Sequence, residues 1–318
     1  MTTMGAHSIA RIMVIVLAIV VYIIAITFNA LAAQGTGPFL RKTANVSDKY
    51  NTQITPSGWT FSIWGVIYFW LTVMLIYIVT TIFRRNVYGQ MYCSPAVLPY
   101  GFFISWIVNF LINIGWLLLW DREVMIASLV MLALVAFTNY LAIFFSCHGL
   151  KEYGAWLNKY HKKDLWCLRV LVQNGLAVYA TWTTIATLIN LTIVVCYDAG
   201  MSRSDAATLS LSFLLVEVVA WFILETFVID KHVRYILTVY PVVIVALSGN
   251  ITKNFDSSAP SRNAIFTAVL LALACVLFVV KVCLVVWRHL RQPFYNGSLA
   301  DDVVSPMETA KKQNTIFI

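Results

Sequence analysis

The chain has 318 residues, of which 60% are hydrophobic and only 11% are charged. Soluble domains average about 45–50% apolar and about 25% charged residues, so this composition excludes an ordinary soluble globular protein. On a soluble protein the net charge of +8 would favour nucleic acid as a partner. In a chain this apolar it indicates membrane topology instead, and no nucleic-acid partner is expected.

Eight apolar stretches are candidate membrane-spanning helices, because a span needs about 20 mostly apolar residues. The chain is therefore predicted to be an all-α protein, a polytopic transmembrane helical bundle in a lipid bilayer. The seventh stretch is short and contains Pro241. In chain order, the predicted spans are 12–33, 59–83, 100–120, 124–146, 168–196, 207–229, 235–249 and 264–287.

The Lys and Arg residues predict the orientation of these spans. With the N-terminus inside, the inner segments hold about twice as many of them as the outer loops, and cytoplasmic loops collect such residues. Both termini are thus predicted to be cytoplasmic, in an integral multi-pass protein of the plasma membrane or an endomembrane. Residues 147–167 become a basic inner loop. The sequon at Asn45 falls in the outer loop 34–58, which makes Asn45 a candidate glycosylation site.

The distribution of Trp residues divides the chain. All of the eleven except Trp221 and Trp287 precede residue 197. We predict a five-helix unit over 1–197, three additional transmembrane helices over 198–290 and a disordered cytoplasmic tail over 291–318. No catalytic constellation and no His/Cys metal cluster is visible, so neither an enzyme nor a metal site nor a resident cofactor is expected. A homodimer is compatible with the sequence.

The third predicted span carries aromatic and carboxamide side chains on one helical face. Residue offsets of 0, 3, 7, 10 and 14 place them there. An unsatisfied carboxamide facing lipid costs several kcal/mol, so we expect these side chains to point into the bundle. They would either line a ligand cavity or form helix–helix hydrogen bonds. The residues are Trp106, Asn109, Asn113, Trp116 and Trp120.

Spans two and five carry comparable stripes. In span two the stripe consists of Phe61, Trp64 and Tyr68, and Trp59 precedes it near the membrane interface. In span five the stripe consists of Tyr179, Trp182, Ala186 and Asn190. We predict that these residues, with Asn109, Asn113 and Trp116, bind a ligand.

The sixth span contains two carboxyl groups, Glu217 and Glu225, with Trp221 between them. Ionisable residues within a span are functional candidates by default. Proton or ion coupling, pairing with a cationic ligand and a structural hydrogen bond are all open roles. Lys281 in the last span is a candidate partner.

Three motifs in spans two, three and five together resemble those of the TspO/translocator family, the tryptophan-rich sensory proteins. The second helix of that family begins P-P-x-W-V-F and continues to W-T-x-L-Y; here Pro56, Trp59, Phe61, Trp64 and Tyr68 are the counterparts. The third-helix motif, L-N-x-x-W-S, is similar to I-N-I-G-W-L from Ile112 to Leu117. The fifth-helix spacing Y-x-x-W-x-x-x-A-x-x-x-N is kept in full from Tyr179 to Asn190, although Val178 replaces the preceding Pro.

The resemblance implies a TspO-like five-helix bundle around an intrahelical cavity, extended here by three C-terminal helices. It also implies a hydrophobic small-molecule ligand that is planar and porphyrin- or sterol-like, such as a bound tetrapyrrole or sterol, for sensing or transport. The loop 34–58 would act as a lid. Two other hypotheses remain open: a proton-coupled secondary transporter or permease that uses Glu217 and Glu225, and a scaffold protein without a ligand.

Overall fold

A computed structural model of the protein describes residues 7–295 and 305–308, so most of the predicted tail 291–318 lies outside the described residues. The helices are α1 (Ile9–Gln34), α2 (Thr43–Lys49), α3 (Ile63–Phe83), α4 (Tyr100–Asp121), α5 (Met125–Tyr160), α6 (Lys162–Cys167), α7 (Asn174–Ile193), α8 (Arg203–Ile223), α9 (Asp230–Val233), α10 (Val239–Asn254) and α11 (Arg262–Arg291). A 3-10 turn, Gly58–Ser62, leads into α3, and π-helical turns occupy Leu168–Gln173, Val194–Asp198 and Leu224–Val228. The antiparallel strands β1 (Arg85–Asn86) and β2 (Gly89–Gln90) form a short hairpin.

Within the described ranges, seven helical segments are long and apolar enough to cross a membrane, which confirms the polytopic all-α fold. They correspond to seven of the eight predicted spans. The predicted inner loop 147–167 is wrong, because α5 continues to Tyr160. Apolar side chains at helical spacing, Leu150, Tyr153 and Leu157, are buried there, and burying this face keeps the segment helical.

The bundle has two ends, which we call the N-terminal side and the opposite side. On the N-terminal side, the Arg11 guanidinium donates to the carbonyl oxygen of Leu98 at 2.7 Å. On the opposite side, the Asp121 carboxylate accepts from the backbone N–H groups of Leu40 and Arg41. These bonds fasten the loops at each end to the helices.

Helix α10 runs back along the bundle although it has only 16 residues, and it is not among the seven membrane-length segments. At 1.5 Å per residue it is about 24 Å long, shorter than the ~30 Å hydrocarbon core. The Arg262–Asp205 ion pair at 2.7 Å joins the starts of α8 and α11 on the opposite side. The Arg288 guanidinium donates to the Thr226 carbonyl oxygen at 2.9 Å on the N-terminal side, where α8 ends. The chain must cross back between these points, and α10 is the segment that does so.

The predicted seventh span 235–249 is shifted along the chain. Helix α10 begins at Val239, so Pro241 lies in its first turn, where the missing N–H has no intrahelical role. The non-helical residues before it are held by Asn174 of α7. The Asn174 amide donates to the Tyr235 carbonyl oxygen at 2.7 Å and accepts from the Leu237 N–H at 2.8 Å.

The connection between α8 and α10 is fastened to the end of α11 by Asp230. Its carboxylate pairs with Arg234 at 2.6 Å and with Arg288 at 2.7 Å. Burial alone would raise the pKa of the Asp230 carboxyl, but hydrogen bonds from the two guanidinium groups outweigh burial and hold that pKa below its usual value. Asp230 is therefore an ionised link between the last helices at the N-terminal side.

Candidate functional site

The aromatic residues predicted in spans two, three and five meet in the interior, with Trp64 at the centre. The Trp64 ring stacks on Tyr68 at 5.7 Å and on Trp116 at 6.3 Å between centroids. Tyr179 and Trp182 meet it edge-on at 6.1 Å and 6.2 Å. Such offset and edge-to-face arrangements are the favourable ones for aromatic rings. We call these five residues the aromatic cluster.

The aromatic cluster encloses little space. A cavity of about 40 Å³ remains beside it, whereas ligand pockets have volumes of about 300–1,000 Å³. The rings fill the interior by packing on one another. The ligand-sized cavity that the sequence predicted among these rings is not found. The wall of the small cavity includes Phe61, Trp64, Trp116, Trp182, Ala186 and Asn190.

The carboxamides of α4 serve helix–helix contacts. The Asn109 amide donates to the Val135 carbonyl oxygen and to the Thr138 hydroxyl, both at 2.8 Å on α5. The Asn113 carbonyl oxygen accepts from the Asn29 amide of α1 at 2.7 Å. Of the two interpretations open at the sequence level, the structure favours helix–helix hydrogen bonding for these two residues.

Asn190 differs from the two carboxamides of α4. It is buried beside the small cavity, and neither its amide nitrogen nor its carbonyl oxygen has a hydrogen-bond partner among the described residues. A water molecule needs about 10–15 Å³ of such space and polar partners. The small cavity therefore suits a few ordered water molecules rather than a flat ligand.

Trp59 lies at the opposite side, before α3 begins. Trp59 is 49% exposed in the 3-10 turn, outside the aromatic cluster, as its predicted interfacial position requires. The outer loop covers the small cavity through Thr43, Ser47 and Pro56. An ion pair between Lys253 of α10 and Asp48 of α2, at 2.7 Å, joins this loop to the bundle.

Glu225 is fully buried, and its carboxylate is already paired within the protein. Its carboxylate pairs with the Lys281 ammonium at 2.9 Å, with side-chain exposures of 0% and 2%. The Tyr240 hydroxyl donates to the other carboxylate oxygen. These three residues join α8, α11 and α10, so Glu225 is a structural link between the C-terminal helices, and Lys281 is its partner.

Glu217 faces a much larger cavity, which we call the cleft. Its volume is about 700 Å³. Buried residues of α7 and α10, such as Ala180 and Val243, form its floor. Residues of α5 and α8 that line it, such as Tyr140 and Ala220, are exposed. The cleft is therefore a groove between α5 and α8 that is open along its side.

The surface of the cleft is mostly apolar, with polar groups in two places. One place is the end of the cleft on the N-terminal side of the bundle, where α5 and α9 form the wall. The polar residues there are His148, Lys151 and His232. Glu217 lies about halfway along the α8 span, roughly 21 Å from Arg203 at 1.5 Å per residue. Among the described residues, no hydrogen bond or ion pair to the Glu217 carboxylate is present.

The position of the cleft was missed at the sequence level, although Glu217 was singled out. The cleft forms where the first five predicted spans meet the last three. Helical periodicity in the sequence does not indicate which spans become neighbours. The available signal was the set of small residues facing it, Ala177 and Ala180 on α7 and Ala220 on α8.

A protein-family model described as TSPO-like protein matches residues 14–283. The matched range therefore continues past α8 and α10 and ends within α11. No curated protein and no solved structure matches the chain.

Proposed function

The chain belongs to the TSPO-like protein family, and from this premise we propose that it is a non-enzymatic membrane protein that binds a hydrophobic, porphyrin- or sterol-like ligand in the cleft. The family suggests a role in ligand binding or transport in the membrane. The ligand, its site and the choice between sensing and transport are part of the proposal.

The size and lining of the cleft carry this proposal. Its volume of about 700 Å³ falls in the range of about 300–1,000 Å³ that is usual for small-molecule sites. Such sites are mostly apolar with a few polar groups that orient the ligand, and the cleft has this composition. A flat apolar molecule could enter sideways from the bilayer between α5 and α8.

The aromatic cluster has a supporting role in this proposal. Trp182 and Tyr179 on α7 pack against Trp64, which in turn stacks on Trp116, and α7 supplies part of the floor of the cleft. The predicted binding residues of spans two, three and five would thus fix the position of α7 rather than touch the ligand.

The proposal is tested by filling the cleft. Ala220 lines the cleft and is exposed, so Ala220→Trp places an indole in it without displacing core side chains. We expect the affinity of the purified protein for a porphyrin and for a fluorescent sterol to fall about tenfold or more, since a clash of about 1.4 kcal/mol already has that effect. Ligand titration in lipid nanodiscs measures this.

The matched control is Val216→Trp on the same helix. Val216 is 64% exposed and does not line the cleft, so binding should remain as in the parent protein. Equal binding to Ala220→Trp and to the parent protein would remove the cleft as the ligand site.

Proton-coupled transport is a second candidate, supported by the unpaired carboxyl of Glu217 in the cleft. Because Glu225 is engaged by Lys281 and Tyr240, Glu217 alone is proposed to exchange a proton with a substrate pathway. Porphyrin uptake into proteoliposomes would then follow an imposed pH gradient and be lost in Glu217→Gln. Uptake that ignores the gradient would contradict this candidate.

We also propose that the opposite side faces the lumen or the exterior, so that both termini are cytoplasmic. Asn45 is exposed on that side, in the short helix α2, which supports its use as a glycosylation site. The predicted homodimer stays a prediction.

A further inference from the structure

We propose that the ligand of the cleft carries a protonated amine on a rigid apolar body, and that this amine pairs with Glu217. The inference rests on the proposed function, because it names the chemical class of ligand for the same cleft.

Glu217 is exposed on the wall of the cleft, about halfway along the α8 span, so in a bilayer its carboxyl group would lie in apolar surroundings near the middle of the hydrocarbon core. Moving an ionised carboxylate from water into such surroundings is strongly unfavourable unless it is paired. The second carboxyl of the helix shows the paired state, because Glu225 has both Lys281 and Tyr240. Glu217 has no counterpart of either among the described side chains, so a partner from outside the chain would complete it.

The polar groups nearest to Glu217 do not supply that partner. Tyr140 on α5 lies within electrostatic range of Glu217, but its hydroxyl is hydrogen-bonded to the hydroxyl of Thr184 on α7. The basic residues that line the cleft lie at its end on the N-terminal side of the bundle. His148 and Lys151 are eight and eleven residues beyond Tyr140 on α5, which corresponds to about 12 Å and about 16 Å along the helix.

Aromatic rings beside Glu217 also suit a cation. Trp221 follows one turn later on α8 and lines the cleft with Tyr140 and Phe144. An ammonium group within about 6 Å of an aromatic ring centroid is attracted by the ring face, most strongly by Trp. A carboxylate flanked by such rings favours an ammonium ligand over a neutral hydroxyl or an anion. The rest of the cleft, being apolar, would take the body of the ligand.

The test compares two probes of equal shape, a 3β-aminosterol and the 3β-hydroxysterol of the same ring system. Both are titrated at pH 7 against the protein in nanodiscs of zwitterionic lipid, with empty nanodiscs as blank. We expect the amine to bind at least about tenfold more tightly than the alcohol, because a desolvated charge pair contributes more than the 1.4 kcal/mol that tenfold represents. Glu217→Gln should lose this preference, and Glu217→Asp, which keeps the carboxylate, should retain a preference for the amine.

Asp205→Asn is the matched control, since it removes one negative charge from the same helix at an exposed position outside the cleft; it should keep the preference. The inference is overturned if the parent protein binds both probes equally or if Glu217→Gln keeps the preference. If the alcohol binds as well as the amine and Ala220→Trp weakens both, the proposed function stands and only the amine inference fails. If neither probe binds the parent protein, the amine inference fails, and the porphyrin titration of the parent protein and Ala220→Trp decides the proposed function separately.

Discussion

Replacing Lys281 with Met is expected to destabilise the protein by about 3–5 kcal/mol, the usual effect of removing one partner from a buried ion pair. The Glu225 carboxylate would remain fully buried without its cationic partner, and only neutral groups, the Tyr240 hydroxyl and the Trp221 indole, would interact with it. Because the pair joins α8, α10 and α11, we expect the three C-terminal helices to separate first. The effect is measured by thermal unfolding in detergent, with the remaining fraction of monodisperse protein as the readout.

Two further variants identify the cause of this loss. In Lys281→Met combined with Glu225→Gln the uncompensated charge is gone, so much of the lost stability should return, since replacing a buried pair by uncharged residues is often close to neutral. Lys253→Met breaks the partly exposed pair with Asp48 and should change stability by no more than about 1 kcal/mol. If the double variant is less stable than Lys281→Met alone, the ionic explanation is wrong.

Gly149→Ala is expected to destabilise the protein by about 1–3 kcal/mol, although Ala normally stabilises a helix interior relative to Gly by about 1 kcal/mol. The sign is reversed because a Cβ atom at Gly149 would lie 1.9 Å from the carbonyl oxygen of Val97. That atom is backbone, so it cannot move away as a side chain would. Helix α5 and the loop before α4 must separate to admit the methyl group.

The matched control is Gly115→Ala in the middle of α4. The nearest atoms to its added methyl group belong to Met131 at 4.0 Å, an ordinary contact. Helix propensity then decides, and this variant should gain up to about 1 kcal/mol. Chemical or thermal unfolding of both variants in the same detergent provides the comparison; a gain for Gly149→Ala would show that α5 does not approach Val97 this closely.

The spans could be predicted because hydrophobicity along the chain reports membrane depth directly. The meeting of Trp64, Trp116 and Trp182 could also be predicted, since each lies on the polar-aromatic face of its helix. Whether the rings would line a cavity or fill it could not. That outcome depends on the separation of the helix axes, and a difference of a few ångströms decides between a void and a stack.

The different roles of Glu217 and Glu225 show another limit. Eight residues at 100° each leave the two side chains about 80° apart around an ideal helix, and the π-helical turn Leu224–Val228 changes the angle further. Glu225 thereby faces Lys281 of α11, whereas Glu217 faces the cleft beside α5. A stretch of i→i+5 hydrogen bonds has no reliable sequence signature, so the separation of the two carboxyls appears only in the structure.

Helix α10 has a consequence for how the protein is made. Between Val239 and Ile251 no residue is more than partly exposed, so bilayer thickness acts little on this segment. Its 16 residues are short for independent insertion, and partners on neighbouring helices satisfy the backbone just before it. Helix α10 is therefore stable across the membrane only in the company of α7 and α11. We therefore expect the last third of the chain to assemble cooperatively, with protein rather than lipid enclosing this short segment.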